Sequence, residues 1–536
     1  MKNIWIILGS LFVFTIILSA CGNNESSNDT EAETDTNSVE QDEPFVVATQ
    51  LEPNNFVINY TWDGATPYLN RNIFSKLVAY DDYSGEIFGD LAEDWSYSED
   101  LTEYTFNLRE NVTWHDGEDF TSDDVKWTVE SLIEEGDAAN GFRSVNNVES
   151  VETPDDNTVT FNLTEPSGVF VEKLADYQGF DILPKHLYED TDIENNEYNT
   201  APIGTGPFKF DEHTSGSHVR LIANSDYYGD GPYINELIFQ FVPSEETALT
   251  SLEAGNVQAM TASPAFGEVP RIEENESLGF DADPTGIVQW ISFNMDETRE
   301  HISDPVVREA IVTALDNVQI AETLYNNLVT PAESWYLSTI EWADNQSVRQ
   351  PETDIDHANE LLDDAGYERQ DDGYRFSLTY RAFETSIYGT TEIPKFVQQQ
   401  LEEIGINVDF EQYEWALRTE MLDERRDWDL AAGGGDRGPD PIFFESFLGT
   451  DSASNKMLYS NPEVDALFEE GEKTIEKEER AEHYHEIQEI IAEDIPLYNV
   501  VEYFIPRVYD SDYEGFHWQE SSVNSTNHMF NSVKRN

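Results

Sequence analysis

The segment Leu91–Leu132, LAEDWSYSEDLTEYTFNLRENVTWHDGEDFTSDDVKWTVESL, has the most informative pattern in this 536-residue chain. Within it, Tyr104, Phe106 and Leu108 alternate with polar residues, which predicts a half-buried strand. Further along, Thr121 and Asp124 have the spacing of a helix capping box, and apolar residues follow at helical intervals. The segment is therefore expected to form a strand, a turn and a helix in succession.

The turn between strand and helix is WHDG, Trp114–Gly117. A histidine beside an aspartate could suggest a metal site or an acid–base pair, but no second ligand follows at a useful spacing. A structural turn is the favoured interpretation. The chain has one cysteine, so no intramolecular disulfide and no cysteine-based metal site are expected. We predict neither a metal nor a cofactor.

The whole segment is similar, nearly position for position, to the signature region of family 5 extracellular solute-binding proteins. These are the oligopeptide, dipeptide and nickel-binding receptors of ABC importers. Two later stretches resemble the same family in the same order: PIGTGPFKF (Pro202–Phe210) and WISFNMDETREHISDPVVREAIVTALD (Trp290–Asp316). Read alone, GTG could suggest phosphate binding, but no P-loop or GxGxxG spacing follows. The resemblance covers roughly residues 45–516.

The second half of the chain has an α/β pattern of its own. Asp304 and Pro305 suit the N-cap and first position of a helix, and Gly366 suits the end of a later one. Alternating apolar residues near 376–380 and 406–410 flank a helical pattern near 397–404. Strand, helix and strand in this order predict a βαβ unit with a parallel pair.

The resemblance implies an α/β fold of the two-lobed, periplasmic-binding-protein-like type (class II, or cluster C), with an extra subdomain in the N-terminal lobe. The expected parts are a first lobe over 45–290, its subdomain near 85–195, a second lobe over 291–505 and a C-terminal return to the first lobe over 506–536. Ligand would bind between the lobes, which would close about a hinge.

The N-terminus Met1–Cys21, MKNIWIILGSLFVFTIILSAC, has the order of a secretory signal over residues 1–20. Small residues followed by the lone Cys21 resemble a bacterial lipobox, which implies lipidation of Cys21. An uncleaved membrane anchor and an accidental cysteine are the alternatives. Residues 21–44 are acidic and almost without apolar side chains, so they are expected to be a disordered tether. The expected location is the extracytoplasmic face of the cell membrane.

The charge is strongly negative: 109 Asp and Glu face 29 Lys and Arg, a formal net of −80. Such self-repulsion destabilises a compact state unless salt screens it, and the Debye length falls to about 3 Å in 1 M salt. A halophilic or haloalkaliphilic source is the interpretation we favour. Nucleic-acid binding is excluded because the chain has no basic footprint.

The segment Trp415–Asp440, WALRTEMLDERRDWDLAAGGGDRGPD, is the expected ligand-binding region. In peptide receptors of the family, an aspartate in the corresponding Gly-rich stretch pairs with the peptide α-ammonium, and Asp436 matches it, preceded by Gly434 and Gly435. The match departs where many members carry Trp before that aspartate. Asp436 could instead cap the following helix. Trp415 matches a pocket aromatic, with core packing as its alternative.

The expected function is that of a substrate-binding lipoprotein which captures peptides and delivers them to an ABC permease, as a monomer. A receptor of the same class for another solute, a nickel complex or an oligosaccharide, is the alternative. An envelope hydrolase is disfavoured because the chain has no GxSxG, no HExxH and no available cysteine nucleophile. An adhesive protein would be expected to show repeats, and none is found at periods of 20–50 residues.

Overall fold

The computed structural model describes residues 43–60, 66–80, 86–175, 181–193, 195–282, 284–384, 392–438, 440–517 and 528–536. The signal sequence, Cys21 and the tether as far as residue 42 lie outside these ranges. Within them, no helix combines the length and apolar character that crossing a membrane requires.

Strands and helices alternate irregularly before residue 283. The strands are β1 (Phe45–Thr49), β2 (Val78–Tyr80), β3 (Ile87–Gly89), β4 (Ala92–Tyr97), β5 (Glu103–Leu108), β6 (Val148–Asp155), β7 (Thr158–Leu163), β8 (Phe208–Thr214), β9 (His218–Ala223), β10 (Glu236–Phe241), β11 (Ala259–Met260) and β12 (Leu278–Asp281). The helices are α1 (Thr66–Asn70), α2 (Ser122–Glu135), α3 (Phe142–Val145), α4 (Phe170–Leu174), α5 (Lys185–Tyr188), α6 (Glu245–Glu253) and α7 (Val269–Glu273).

Longer elements follow residue 283. The strands are β13 (Pro284–Phe293), β14 (Val329–Pro331), β15 (Phe376–Glu384), β16 (Ile406–Glu414), β17 (Leu430–Asp436), β18 (Leu497–Phe504), β19 (Arg507–Asp510), β20 (Tyr513–Glu514) and β21 (Lys534–Arg535). The helices are α8 (Pro305–Ala314), α9 (Asn317–Tyr325), α10 (Ile355–Asp364), α11 (Ile393–Glu403), α12 (Glu445–Leu448), α13 (Pro462–Glu472) and α14 (Lys477–Asp494).

The segment Leu91–Leu132 forms the strand and the helix that its sequence predicts. Strand β5 lies in a four-stranded antiparallel sheet of order β4-β5-β7-β6. Its Tyr104, Phe106 and Leu108 are buried, and they share a core with the apolar face of α2. The backbone N–H of Thr121 donates to Oδ2 of Asp124 at 2.9 Å, so the predicted capping box forms. We call this sheet with α2–α4 the subdomain.

A seven-stranded sheet of order β12-β19-β11-β1-β10-β9-β8 forms the N-terminal lobe. Strand β1 runs parallel to β10 on one side and to β11 on the other, while β19 lies antiparallel to β11 and β12. The C-terminal strand β19 is therefore inserted among N-terminal strands.

A six-stranded sheet of order β14-β18-β13-β17-β15-β16 forms the C-terminal lobe. Strands β15 and β16 are parallel over nine residue pairs and are joined through α11, so the predicted βαβ unit is present. Helix α8 begins as expected, because the Asp304 side chain accepts from the backbone N–H of Val306 at 3.0 Å and Pro305 occupies the first turn.

The chain passes between the two large sheets twice. It leaves β12 of the N-terminal lobe for β13 of the C-terminal lobe, and it returns from β18 to β19. The two crossings are adjacent, because Pro284 at the start of β13 pairs with Phe504 at the end of β18. Two adjacent crossing segments between two sheets form a hinge of the kind about which lobes close.

Candidate functional site

The strand directions place one edge of each large sheet at the hinge. Strand β13 starts at the hinge and β17 runs antiparallel to it, so β17 ends there, as do β15 and β16, which run parallel to β17. In the N-terminal lobe β19 starts at the hinge, so its antiparallel neighbour β11 ends there, together with β1 and β10. Ligands of open α/β sheets bind beyond the carboxyl ends of parallel strands. Here the carboxyl ends of the parallel strands of both sheets lie on the side of the hinge.

Strand β17 carries the glycine-rich sequence LAAGGGD to this edge. Its Gly433, Gly434 and Gly435 pair with Trp290, Gln289 and Val288 of β13. A Cβ atom on Gly433 would lie 2.3 Å from Nε1 of Trp290, so the indole ring occupies the space that a side chain at this position would need. The absence of a side chain at Gly433 thus has a packing cause within the C-terminal lobe.

Arg437 continues the same stack just beyond β17. Its side chain is fully buried, and its guanidinium carbon lies 3.9 Å from the Trp290 ring centroid and 4.2 Å from that of Phe444. Its Nη2 approaches Oδ1 of Asn499 at 3.4 Å, and its backbone N–H donates to the carbonyl of Gly286 at 3.0 Å. A guanidinium between aromatic faces gains cation–π stabilisation, and this one holds the end of β17 against the lobe.

Asp440 fixes the other end of the loop that follows β17. Its Oδ1 accepts from the backbone N–H of Ile442 at 3.0 Å and from the Tyr484 hydroxyl at 2.9 Å, while its Oδ2 accepts from Nη2 of Arg480 at 2.8 Å. Burial, reinforced by the Asp440 carboxylate, raises the pKa of Tyr484, so this hydroxyl keeps the proton that it donates. The helix cap considered for Asp436 is provided by Asp440.

The backbone of the residues predicted to contact ligand lies at the hinge-side ends of β16 and β17. Asp436 is the last residue of β17 and pairs with Ile287, and Trp415 opens a short 3₁₀ helix directly after β16. The side chains of Asp436 and Trp415 lie outside the described part of the chain. Gly434 and Gly435 are half-buried neighbours of Asp436 on the same strand.

The WHDG turn and the GTG turn contact each other in the N-terminal lobe, and both are structural. The backbone N–H of Gly204 donates to Nδ1 of His115 at 3.2 Å, and Nε2 of His115 lies 3.0 Å from the carbonyl oxygen of Gly206. The described residues contain no group of three or more His, Cys, Asp or Glu side chains placed to hold a metal ion. The structural interpretation of WHDG is therefore the one that the contacts support.

Sequence reasoning missed Arg437, Asp440 and Arg480 as residues that organise the site. Arginines in a highly charged chain suggest a solvated surface, yet the side chains of Arg437 and Arg480 are fully buried. Two available signals were the proline after Asp440, which is common at the start of a helical turn, and the aromatic pair that follows. Neither signal identifies which cationic side chain would contact Asp440 or the aromatic pair.

Comparison with known proteins gives the same architecture over nearly the whole chain. The model of "Bacterial extracellular solute-binding proteins, family 5 Middle" matches residues 86–455. The oligopeptide-binding protein AppA of Bacillus subtilis is 28% identical over 513 residues, which is 92% of each chain. Heme-binding protein A of Haemophilus influenzae is 26% identical over 521 residues, 91% of this chain and 92% of that one.

Among solved structures, the periplasmic binding protein DppA of Helicobacter pylori in complex with the peptide STSA superposes with a TM-score of 0.77. It is 25% identical in sequence, and the match covers 92% of this chain and 98% of that one. The two-lobed fold expected from the sequence is thereby confirmed. The family model matches well over half of the chain. The chain belongs to the bacterial extracellular solute-binding proteins of family 5.

Proposed function

We propose that this protein captures peptides in the cleft between its lobes and delivers them to the membrane permease of an ABC importer. The observation that carries the proposal is the position of β17, whose glycine-rich end reaches the hinge edge where both lobes present the carboxyl ends of parallel strands. Relatives named or solved with peptides share this architecture. Receptors of this kind bind and release their ligand unchanged, and we propose no catalytic step.

Asp436 is our candidate for the residue that binds the α-ammonium of the peptide. A carboxylate at a closing cleft loses hydration, and a ligand ammonium offsets that cost through a charge-assisted hydrogen bond. The neighbouring Gly434 and Gly435 carry no side chains, which lets a ligand main chain approach the strand. Trp415, at the end of β16, is our candidate for an aromatic side chain that lines the cleft.

Peptides of varied sequence would be held chiefly through their main chain. Hydrogen bonds to an extended backbone do not depend on side-chain identity. Contacts with both lobes would favour the closed arrangement in proportion to the difference in ligand affinity between closed and open forms. The hinge formed by the two crossings supplies the axis for that closure.

We further propose that Cys21 carries a lipid and holds the receptor, as a monomer, at the extracytoplasmic face of the cell membrane. The apolar run before Cys21 is a little short of the roughly 20 residues of a spanning helix, which favours a cleaved signal. The acidic segment 21–44 would then act as a tether. Mass spectrometry of the mature protein tests this point: a diacylglyceryl mass on an N-terminal Cys21 supports it, and a retained residue 20 contradicts it.

The ligand class is tested by releasing and identifying what co-purifies, followed by titration. Tryptophan fluorescence should change saturably with free tetrapeptides, and N-acetylated peptides should bind more weakly by a factor of about 10 to 100, from the loss of a charge-assisted bond. Asp436→Asn should remove most of that difference. Asp451→Asn, a change of an exposed aspartate in the same lobe, should not.

Three outcomes would contradict the proposal in different ways. Equal binding of free and acetylated peptides would exclude Asp436 as the amine-binding residue. A nickel complex or an oligosaccharide as the co-purified ligand, with no peptide response, would assign the receptor to another solute. Conversion of a bound ligand to product would indicate an enzyme.

A further inference from the structure

The subdomain contacts the C-terminal lobe through residues 167–173, which pack on the corner between α13 and α14. The backbone N–H of Gly168 donates to the carbonyl of Glu472 at 2.6 Å. A Cβ atom on Gly168 would lie 2.5 Å from the carbonyl carbon and oxygen of Thr474, so only glycine permits this approach. Val169 joins the hydrophobic core of the C-terminal lobe. This contact joins the two lobes away from the two crossing strands.

The corner lies at the hinge edge, beside the candidate ligand site. Arg480 in the first turn of α14 bonds to Asp440, which follows β17 by four residues. The loop that follows Asp436 is therefore connected through Asp440 and Arg480 to the surface on which the subdomain rests. Any change in the contact between subdomain and lobe acts next to the ligand site.

A buried cluster of three charges crosses this contact. The guanidinium of Arg480 is fully buried, and its Nη2 lies 2.8 Å from Oδ2 of Asp440 and 3.1 Å from Oε1 of Glu172. Asp440 and Arg480 both belong to the C-terminal lobe, whereas Glu172 comes from α4 of the subdomain. The side chains of Asp440 and Glu172 are 3% and 14% exposed.

The cluster holds one cation for two carboxylates. Nη1 of Arg480 is occupied by the backbone carbonyls of Thr474 and Ile475, at 3.2 and 2.7 Å. Asp440 already neutralises Arg480 within the C-terminal lobe. The approach of the subdomain adds the Glu172 carboxylate to a pair that needs no further anion. The contact thus buries one negative charge in excess, which is costly unless the charge is removed.

Among the described residues, other charged and titratable groups surround Glu172, and none of them is a second close cation. Lys477 of α14 lowers the pKa of Glu172 through a longer-range charge interaction, and it pairs with Glu86, Nζ to Oε1 at 3.5 Å. Tyr104 of β5 donates to the carbonyl of Ser167 at 2.5 Å. The neighbouring Lys173 is paired with Glu472. Burial raises the pKa of Glu172 to about 7, with Arg480 opposing the shift and Asp440 adding to it.

We propose that closing the subdomain onto the C-terminal lobe takes up a proton at Glu172, so that the lobes close more readily as the pH falls. This inference rests on the proposed function only in assuming that the lobes open and close. In an open form Glu172 would face water and would have the ordinary pKa of a glutamate, 4.5. The closed form therefore binds more protons between the two pKa values, and acidification favours it. At higher pH the ionised carboxylate opposes closure and favours release of ligand.

The size of the effect follows from the two pKa values. Between pH 8 and pH 6 the ratio of closed to open protein should rise about tenfold through Glu172 alone. Glu172→Gln keeps an acceptor for Arg480 and removes the charge. It should abolish this dependence and close more readily at pH 8 than the wild type does at pH 6, because the open wild type is still ionised at pH 6. Glu149→Gln, a change of an exposed glutamate in β6 of the same subdomain, is the matched control.

Hydrogen exchange at the Gly168 amide tests the proposal on the full chain without any ligand. This amide bonds across the contact, so its protection, corrected for the intrinsic exchange rate at each pH, reports the closed fraction. We expect protection to rise as the pH falls from 8 to 6 in the wild type and in Glu149→Gln, and to stay constant in Glu172→Gln. A flat wild-type profile, or an unchanged slope in Glu172→Gln, would overturn the proposal.

Calorimetry with tetra-alanine in two buffers of different ionisation heat gives a second readout. At pH 7 the wild type should take up a fraction of a proton on binding that Glu172→Gln lacks. Equal uptake by both proteins would overturn the proton linkage while leaving the peptide receptor intact. Failure of every peptide to bind would count against the proposed function alone, because the exchange profile of Gly168 still decides the linkage.

Discussion

Two glycine-rich segments, Gly204–Gly206 in the N-terminal lobe and Gly433–Gly435 in the C-terminal lobe, use glycine for different physical reasons. A Cβ atom on Gly204 would lie 1.9 Å from the carbonyl oxygen of Ile73, which is backbone. On Gly433 it would lie 2.3 Å from the indole nitrogen of Trp290, which is a side chain. The first obstacle cannot move without distorting the backbone of the lobe, whereas the second can shift at the expense of its contacts with Arg437 and Ser292. The first segment is therefore a rigid junction, and the second can adapt at the edge of the cleft.

The surroundings of the two segments differ in the same way. The GTG turn is held by His115, whose ring is fixed between two backbone groups of the turn. The GGG strand lies under a stack of Trp290 and Arg437 and ends at the hinge edge. The two segments have a similar glycine content. In the N-terminal lobe the glycines permit a close backbone contact, and in the C-terminal lobe they leave a strand without side chains beside the cleft. Each of the following predictions tests this contrast.

The largest expected effect belongs to Gly204→Ala. Because the new methyl group meets the Ile73 carbonyl, the N-terminal lobe must distort, and the free energy of unfolding should fall by about 3 kcal/mol. Thermal unfolding measures the change. Gly267→Ala is the control, since nothing lies within 4 Å of a Cβ atom at that exposed position. A loss of stability no larger than that of the control would show that the turn at Gly204 is not a rigid junction.

Gly433→Ala should cost less, about 1 to 2 kcal/mol, because the Trp290 ring can shift at the expense of its stack on Arg437. A double-mutant cycle with Trp290→Ala separates the causes. If the ring is the obstacle, Gly433→Ala should be nearly neutral in the Trp290→Ala background, a non-additivity of about 1 kcal/mol or more. Strictly additive changes in the free energy of unfolding, measured with denaturant, would show that glycine is required at position 433 for a reason other than the Trp290 ring.

The smallest effect is a pH dependence in the junction. Nδ1 of His115 accepts from Gly204, and burial lowers the pKa of this ring to about 4 from an ordinary value of 6.5. The unfolded chain therefore binds the proton more readily, and the stability that neutral His115 contributes is present above pH 6.5 and lost as the pH falls towards 4. Between pH 7 and pH 6 the wild type should lose about 0.7 kcal/mol more than His115→Gln. Parallel stability curves for the two proteins would contradict this.

Local patterns in the sequence predicted much of the fold because they report burial directly. The alternation of Tyr104, Phe106 and Leu108, the capping box at Thr121 and the N-cap at Asp304 all occur as expected. Each depends on neighbours within a few residues. The family resemblance supplied the order of the lobes, which local patterns could not.

The candidate site was less accessible to sequence reasoning because its contacts are distant in the chain. The sequence near Gly433 does not predict that Trp290 of another strand lies against it. The sequence near Arg480 does not predict a contact with a carboxylate from the subdomain. Asp440, rather than Asp436, caps the helix after β17. The role of Asp436 stays a prediction, because its side chain lies outside the described residues.

Hydrogen exchange with and without saturating peptide locates the bound ligand on the protein. We expect ligand to slow exchange at the end of β17, over residues 433–438, and to leave residues 202–208 of the GTG turn unchanged after correction for any gain in global stability. Protection confined to residues 202–208, or none at residues 433–438 under conditions of proven binding, would contradict the account.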